Sequence, residues 1–382
     1  MFKKRSIKVA FICQWKHGYV KFQDVVLKMR ENDKFDVQLI VFSEDVKNSP
    51  ENSQIDFWES NFPKIKIIEA KNSNGWYDLK KSYNPDYVFV QRPYDIYLPE
   101  EYSLSKLSKI AKVCYIPYAY IIADFRAELL NKEILSNIYI YFAENEEQYQ
   151  YAKMAMGDLK GKHYSYNLGY PYLDRSIKNA AIPKSAFLNT RPKNEKRIIW
   201  TPRWTMDKDF CASTFFNYKD KIVDYFKKNR NLQLVFRPHP LMFGNFIEKG
   251  LMKEAEVKEY LKNFTENMYY DEEANYLTTF KDADILITDF SSIIIDFLIL
   301  NKPIILCGND DETKYFKIMK KISKASYKAK NWKEVQKILD DLSKGIDNKQ
   351  SNRKKIINEI IDQNDGNVSM KIVKSIIDDY YN

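Results

Sequence analysis

Along this chain, short uninterrupted apolar runs alternate with longer stretches whose apolar residues recur every three or four positions. In the first half the runs are "IKVAFICQW" (7–15), "FDVQLIVFS" (35–43), "KIKIIEA" (64–70), "DYVFVQRP" (86–93), "KVCYIPY" (112–118) and "IYIYFAEN" (138–145). Helical patterns lie between them, as at 19–31 and 146–156. Runs apolar at nearly every position predict strands covered on both faces, and their alternation with helices predicts βαβ units and a parallel sheet. The pattern lapses over "NAAIPKSAFLNTRPKNEK" (179–196), where two prolines and scattered charges predict an interdomain linker. It restarts with "RIIWTPR" (197–203), "LQLVFRPHP" (232–240), "NMYYDEE" (267–273), "ADILITDF" (283–290) and "KPIILCG" (302–308), which predicts a second α/β domain. "KKIINEIIDQN" and "SMKIVKSIIDDYY" predict two helices at the end.

The expected organisation is therefore an N-terminal domain over 1–178, a linker over 179–196, a second domain over 197–350 and C-terminal helices over 351–382. The fold class is α/β, with two doubly wound Rossmann-like domains facing a central cleft. In such sheets ligands bind at the C-terminal ends of the strands.

The 382 residues exceed what one hydrophobic core usually serves, which agrees with two domains. Sixty-one Lys plus Arg against 52 Asp plus Glu leave a net charge of +9, which favours anionic partners without naming one. No nucleic-acid-binding motif or dense basic arm is present, so nucleic acid is not expected as a partner. Cys13, Cys114, Cys211 and Cys307 are widely spaced in apolar contexts. They read as buried thiols of a reducing compartment rather than a disulfide framework or a zinc site, and no metal motif is visible. The start, "MFKKRSIKVAFICQW", has too short an apolar stretch for a signal peptide, and no run approaches the ~20 residues of a membrane span. The expected location is cytoplasmic, with peripheral attachment to the inner face of the cell membrane an accompanying expectation.

Chemistry concentrates at two strand ends. Pro238 and Pro240 end the run at 232–237, and each forces the residue before it into an extended conformation. Arg237 and His239, two apart in an extended chain, are expected on one face as a stiff prong carrying a guanidinium and an imidazole. That pair suits a diphosphate. In "TDFSSIIIDFLIL" (288–300) a strand runs into Ser291 and Ser292, then into an apolar helix whose N-terminal amide groups can bind an anion. Capping of that helix by Asp289 or a serine is the plainer account, and the two are compatible. Asp296, inside the apolar helix, reads as a structural hydrogen-bonder.

These elements resemble the CDP-glycerol glycerophosphotransferase family, which includes teichoic-acid primases and polymerases and capsule polyol-phosphate transferases. The residues concerned are Arg237–Pro240, "DILITDFSS" (284–292), Asp296 and "KPII" (302–305). "DETKY" (311–315), "WTPRW" (200–204) and "GYPYLD" (169–174) are similar to further family elements, so the resemblance covers roughly 165–315. It implies a GT-B-like pair of domains, the second binding the nucleotide donor and the first serving the acceptor. It also implies transfer of glycerol or ribitol phosphate from a CDP-polyol to a hydroxyl of a cell-surface glycan, teichoic-acid or capsule acceptor, lipid-linked glycans included, with CMP leaving and no cofactor. In that family the R-P-H-P histidine and the serine pair serve the donor's pyrophosphate, a role carried onto His239, Ser291 and Ser292. Arg237, Thr288, Asp289 and Arg203 complete the expected donor-binding set.

The first half departs from the family pattern. The family's N-terminal H-G-x-x-x-K histidine has no counterpart in "CYIPYAY" (114–120), but "QWKHGY" (14–19) supplies His17 at the end of the first strand. His17 is the candidate catalytic base beside His239, since imidazole suits proton abstraction at neutral pH; a loop histidine touching the donor or nothing is the alternative. His163 reads as surface or packing. The lysines of 314–337 read as a solvated face, with an acidic membrane surface the other reading. The rival functions are a GT-B glycosyltransferase using a nucleotide sugar, a sugar-nucleotide epimerase of the same shape, and a non-catalytic polymer- or nucleotide-binding relative.

Overall fold

The structure, a computed structural model, describes residues 5–42, 55–123, 130–178, 195–207, 212–308 and 312–382. The linker expected at 179–196 falls almost wholly outside them, as do Cys211 and Asp311. The chain divides into two compact units, Met1–Lys178 with Ile361–Asn382, and Asn179–Ile360.

The first unit is built on seven strands: β1 (Ile7–Cys13), β2 (Phe35–Val41), β3 (Lys66–Glu69), β6 (Tyr87–Val90), β7 (Lys112–Tyr115), β8 (Ile140–Ala143) and β9 (Tyr164–Asn167). A small hairpin, β4 (Lys71–Asn72) with β5 (Gly75–Trp76), stands apart from them. The sheet order is β3-β2-β1-β6-β7-β8-β9, and every pairing is parallel. Side chains alternate between two covered faces. On one face Phe11, Phe89 and Phe142 form an aromatic ladder, with centroid separations of 4.7 and 6.2 Å. On the other, Ala10, Ile12, Val88 and Val90 join a core with Leu104, Leu107 and Leu135.

The second unit carries β10 (Lys196–Thr201), β11 (Leu232–Phe236), β12 (Met268–Tyr270), β13 (Ile285–Thr288), β14 (Ile304–Cys307) and β15 (Tyr327–Ala329). Their order is β12-β11-β10-β13-β14-β15, again parallel throughout. Trp200, Phe215, Phe236 and Phe246 anchor its core. Strand order reverses between β1 and β6 in one unit and between β10 and β13 in the other. Each reversal opens a crevice beyond the C-terminal strand ends, where doubly wound sheets bind ligands. Both reversals are stapled at the opposite end by an aspartate. Asp86 accepts the Lys8 amide at 2.9 Å, and Asp284 accepts the Arg197 amide at 2.8 Å.

Among the described residues, the apolar runs predicted eleven of the strands of the seven- and six-stranded sheets within a few residues. β9 and β15 were not among them: β9 is short and polar ("YSYN"), and β15 lies inside the lysine-rich stretch read as a solvated face. The two final helices form, at Gln350–Gln363 and Val368–Tyr381, but the last belongs with the first unit rather than standing apart. Its stripe of Val368, Ile372, Val373 and Ile376 is buried. Asp174, at the end of "GYPYLD", accepts the Val368 and Ser369 amides at 3.0 and 2.8 Å, so it caps that helix from a distant part of the chain. Near the other end, Asp379 accepts hydrogen bonds from Tyr87, Tyr139 and Lys112.

Capping residues typically contribute about 0.5–2 kcal/mol. Asp174→Ala is expected to lower unfolding free energy by about 1–2 kcal/mol in urea titration and to speed amide exchange at Val368 and Ser369. Unchanged exchange at those two amides would contradict the cap.

Candidate functional site

The reversal between β10 and β13 brings together Arg203, which follows β10, and Thr288 to Ser292, which end and follow β13. Asp289 is almost fully buried, at 2% exposure, and a buried carboxylate must be compensated by donors. It accepts the Arg203 amide at 2.8 Å, the Thr214 amide at 3.1 Å, the Thr214 hydroxyl at 2.5 Å and the Ser213 hydroxyl at 3.3 Å. Asp289 was expected to cap the helix after it or to bind the donor. Through these bonds it braces Arg203 and the start of the helix Phe215–Lys228. Thr288 is fully buried and donates to the Thr201 and Asp289 carbonyls, which fits a strut rather than a ligand contact. Arg203 donates to the Phe290 carbonyl at 3.0 Å and lies 5.7 Å from the Phe290 ring.

The expected prong at 237–239 is divided. Arg237 is buried, donating to Asp271 at 2.7 Å and to the Glu273 carbonyl at 2.5 Å. Asp271, 1% exposed, also accepts the Thr279 hydroxyl and the Glu273 amide. Arg237 is therefore a tie between β11 and the loop after β12, and not the open diphosphate fork expected from its spacing. His239 is half-buried, and its Nδ1 accepts the Leu241 amide at 3.2 Å. That bond places the ring hydrogen of the neutral imidazole on Nε2. Trp204 lies against the ring at 6.1 Å, and the His239 amide reaches back to Pro202. R-P-H-P and "WTPRW" are thus one local assembly.

Ser291 and Ser292 are half-buried at the turn before the helix Ile294–Leu298. That helix is buried as expected but only five residues long, and its N-cap, Ile293, supplies no side-chain cap. Asp296 accepts the Tyr276 hydroxyl at 2.5 Å, in keeping with the structural reading, and Tyr276 also lies 5.5 Å from the Arg237 guanidinium. Phe290 stacks on Tyr315 at 5.1 Å, joining "TDFSS" to "ETKY".

In the first unit the reversal lies between β1 and β6, and two glutamines lock it. The Gln91 side chain accepts the Gln14 and Trp15 amides and donates to the Trp15 carbonyl. The Gln14 side chain accepts the Arg92 amide and donates to the Arg92 and Tyr97 carbonyls. His17 follows in a 3₁₀ turn, half-buried, its ring 5.5 Å from Trp15. Gly18 is required there, since a Cβ would stand 2.5 Å from the Gln91 side chain. At the end of β8, Glu144 is fully buried and accepts the Ile121 amide and the Tyr141 hydroxyl. Burial pushes its carboxyl up to about 8, against the opposing pull of those hydrogen bonds. His163 bonds the Ile138 and Lys160 carbonyls, as befits packing. Sequence reasoning missed Gln14, Gln91, Arg92 and Glu144, and it took the acids of "YYDEEANY" (269–276), Asp271 among them, as a ribose ligand or commonplace strand-end acids. The available signal was their place as polar residues at the C-terminal ends of the predicted runs.

Removing a buried, multiply bonded carboxylate leaves donors unsatisfied. Asp289→Ala is expected to cost about 3 kcal/mol in urea titration, and a loss below about 1 kcal/mol would contradict its bracing role. Glu144 gives a pH signature of defined sign. The folded protein keeps this proton where an unfolded Glu, near ~4.3, has lost it, so stability falls as pH rises from there toward about 8. The slope contributed reaches at most about 1.4 kcal/mol per pH unit, and Glu144→Gln removes it. A pH–stability profile unchanged by that substitution would count against the assignment.

Among the described residues no helix is long and apolar enough to cross a membrane, and no group of three or more His, Cys, Asp and Glu is placed to hold a metal ion. Comparison with solved structures shows likeness to the wall teichoic acid polymerase TagF, with TM-score 0.59, 14% identity, 98% of this chain and 89% of that one. It also shows likeness to UDP-GlcNAc 2-epimerase from Neisseria meningitidis, with TM-score 0.61, 16% identity, 97% of this chain and all of that one. At these identities the likeness speaks for the fold, a GT-B type pair of Rossmann-like domains. In sequence, a stretch of 131 residues is 25% identical to the minor teichoic acid biosynthesis protein GgaB of Bacillus subtilis (strain 168). That stretch is 34% of this chain and only 12% of that relative. The family model described as CDP-Glycerol:Poly(glycerophosphate) glycerophosphotransferase matches residues 135–378, which include the R-P-H-P turn, "TDFSS" and the strands that carry them. The chain belongs to that glycerophosphotransferase family.

Proposed function

We propose that this chain transfers a polyol phosphate, glycerol or ribitol phosphate, from a CDP-polyol to a hydroxyl of a teichoic-acid or capsule-type acceptor at the cytoplasmic membrane face. The observation that carries this reading is the family match over the R-P-H-P and "TDFSS" elements, with His239 pinned through Nδ1. In the proposed step an acceptor oxygen attacks the donor phosphorus that bears the polyol. The bond from that phosphorus to the bridging oxygen breaks, and CMP leaves with the electron pair. His239 Nε2–H, with the Ser291 and Ser292 hydroxyls, donates to the pyrophosphate as charge moves onto the leaving phosphate. Protein groups meet this charge, and no cofactor is invoked. Arg203, Arg237, Thr288 and Asp289 act behind these residues by holding the strand ends in place. The acceptor proton passes to a base, for which His17 is the candidate.

Wild-type protein given CDP-glycerol and a glycerol-phosphate acceptor is expected to release CMP. His239→Ala should lower that rate about 10²- to 10³-fold while leaving the fold intact by circular dichroism. His17→Gln should lower it by a factor of similar order if His17 is the base. CMP release by His239→Ala at the wild-type rate would overturn the role given to His239. UDP release from UDP-sugars in place of CMP release would replace the phosphotransferase with a sugar-nucleotide enzyme.

A further inference from the structure

Arg92 stands apart from the other deeply buried arginines. It is 5% exposed, and its Nε and Nη2 are enclosed with no hydrogen-bond partner among the described residues. Desolvating a guanidinium costs several kcal/mol, and proteins ordinarily supply an anion or strong acceptors in return. Arg237 has Asp271, Arg353 has Asp347, and Arg197 has Gln233. Arg92 has rings: its Cζ lies 4.0 Å from the centroid of Tyr97 and 5.3 Å from that of Trp15. Burial pulls its pKa below the ordinary value, and the groups opposing that pull are Tyr97, Tyr118 and Tyr94 rather than a carboxylate.

Its placement is also defined. Arg92 follows β6 at the reversal of strand order, where a doubly wound sheet binds its ligand. Gln14 grips both its amide and its carbonyl, so the backbone cannot drift. The Trp15 ring lies 5.3 Å from the Arg92 guanidinium and 5.5 Å from the His17 ring. Nε and Nη2 share one edge of the guanidinium, the edge that meets an oxyanion through two parallel hydrogen bonds.

We propose that Arg92, framed by Trp15 and Tyr97 beside His17, is the charge of a phosphoryl-binding subsite in the first unit. It takes a phosphate monoester or diester, and its ligand supplies the counter-charge that no described residue provides. The proposal rests on the transferase reading only for the bearer of that phosphate, which is then the acceptor: its terminal phosphate or the headgroup of its lipid. Family membership supplies no such role for this position, since the element matched there begins at residue 135.

The test is calorimetric titration of the full chain with sn-glycerol 3-phosphate, with glycerol as uncharged control, in the presence and absence of saturating CMP. A second arm uses vesicles containing phosphatidylglycerol against vesicles of phosphatidylcholine alone. Wild type should bind glycerol 3-phosphate and not glycerol, and Arg92→Met should weaken that binding about 10- to 100-fold. Arg92→Lys, which keeps charge but loses the fork, should fall between them and covers the case in which Arg92→Met fails to fold. Arg92-dependent binding to the anionic vesicles alone supports the subsite and names the lipid headgroup as its source. Equal binding by wild type and variants, or binding of neither probe by wild type, overturns the proposal. Wild type and both variants should respond alike to CMP, so failure of the donor reading, seen as no response to CMP in wild type, is distinguishable from failure of this one.

Discussion

The second unit's working edge depends on satisfying two carboxylates buried beneath it. Asp289 gathers the Arg203 amide and the Ser213–Thr214 corner, and Asp271 gathers Arg237, Thr279 and the Glu273 amide. A parallel sheet ends each strand with backbone groups that have no ladder partner, and the loops beyond must be held by something else. Here those holds are charge-assisted, shorter and stronger than neutral bonds. The half-buried His239, Ser291 and Ser292 sit on a frame held by these bonds, so in the proposed reaction little needs to reorganise when charge develops on a leaving group.

The first unit solves the same geometric problem differently. At its reversal the ties are carboxamides, each of Gln14 and Gln91 both accepting from and donating to the backbone of the neighbouring strand end. A neutral clamp brings no negative charge to the edge. On the proposed reading Arg92 is thereby left as a positive site, which a carboxylate clamp would have quenched. The two units thus share a topology while differing in the electrostatics at equivalent places, which is the difference expected if they handle different parts of a reaction.

Much of the fold was legible because parallel strands covered on both faces are apolar at nearly every position, and so "VAFI", "LQLVF" and "ILIT" announce themselves. Strands such as Tyr164–Asn167 and Tyr327–Ala329 carry polar or charged residues because they are edge strands, and periodicity does not separate them from loops. For the site, Pro238 and Pro240 correctly marked a strand end bearing His239, since proline's constraints are local. Arg237 was read as a ligand contact because its fate depends on Asp271, 34 residues away, and on how β11 and β12 pair. Asp174 illustrates the same limit: its partners, Val368 and Ser369, lie nearly 200 residues along the chain. Spacing exposes what neighbouring residues can do together, whereas strand order decides which distant residues meet.

The central claim is that the second unit binds a cytidine-activated donor. The most direct measurement is the thermal midpoint of the full chain with CMP, CDP, CDP-glycerol, CDP-ribitol, UMP, UDP and UDP-sugars. A ligand at about 100 times its dissociation constant stabilises the folded chain by about 2.7 kcal/mol, enough to raise the midpoint by several degrees. The account predicts a rise with cytidine ligands alone, larger for one CDP-polyol than for CMP. A rise confined to uridine ligands would contradict it.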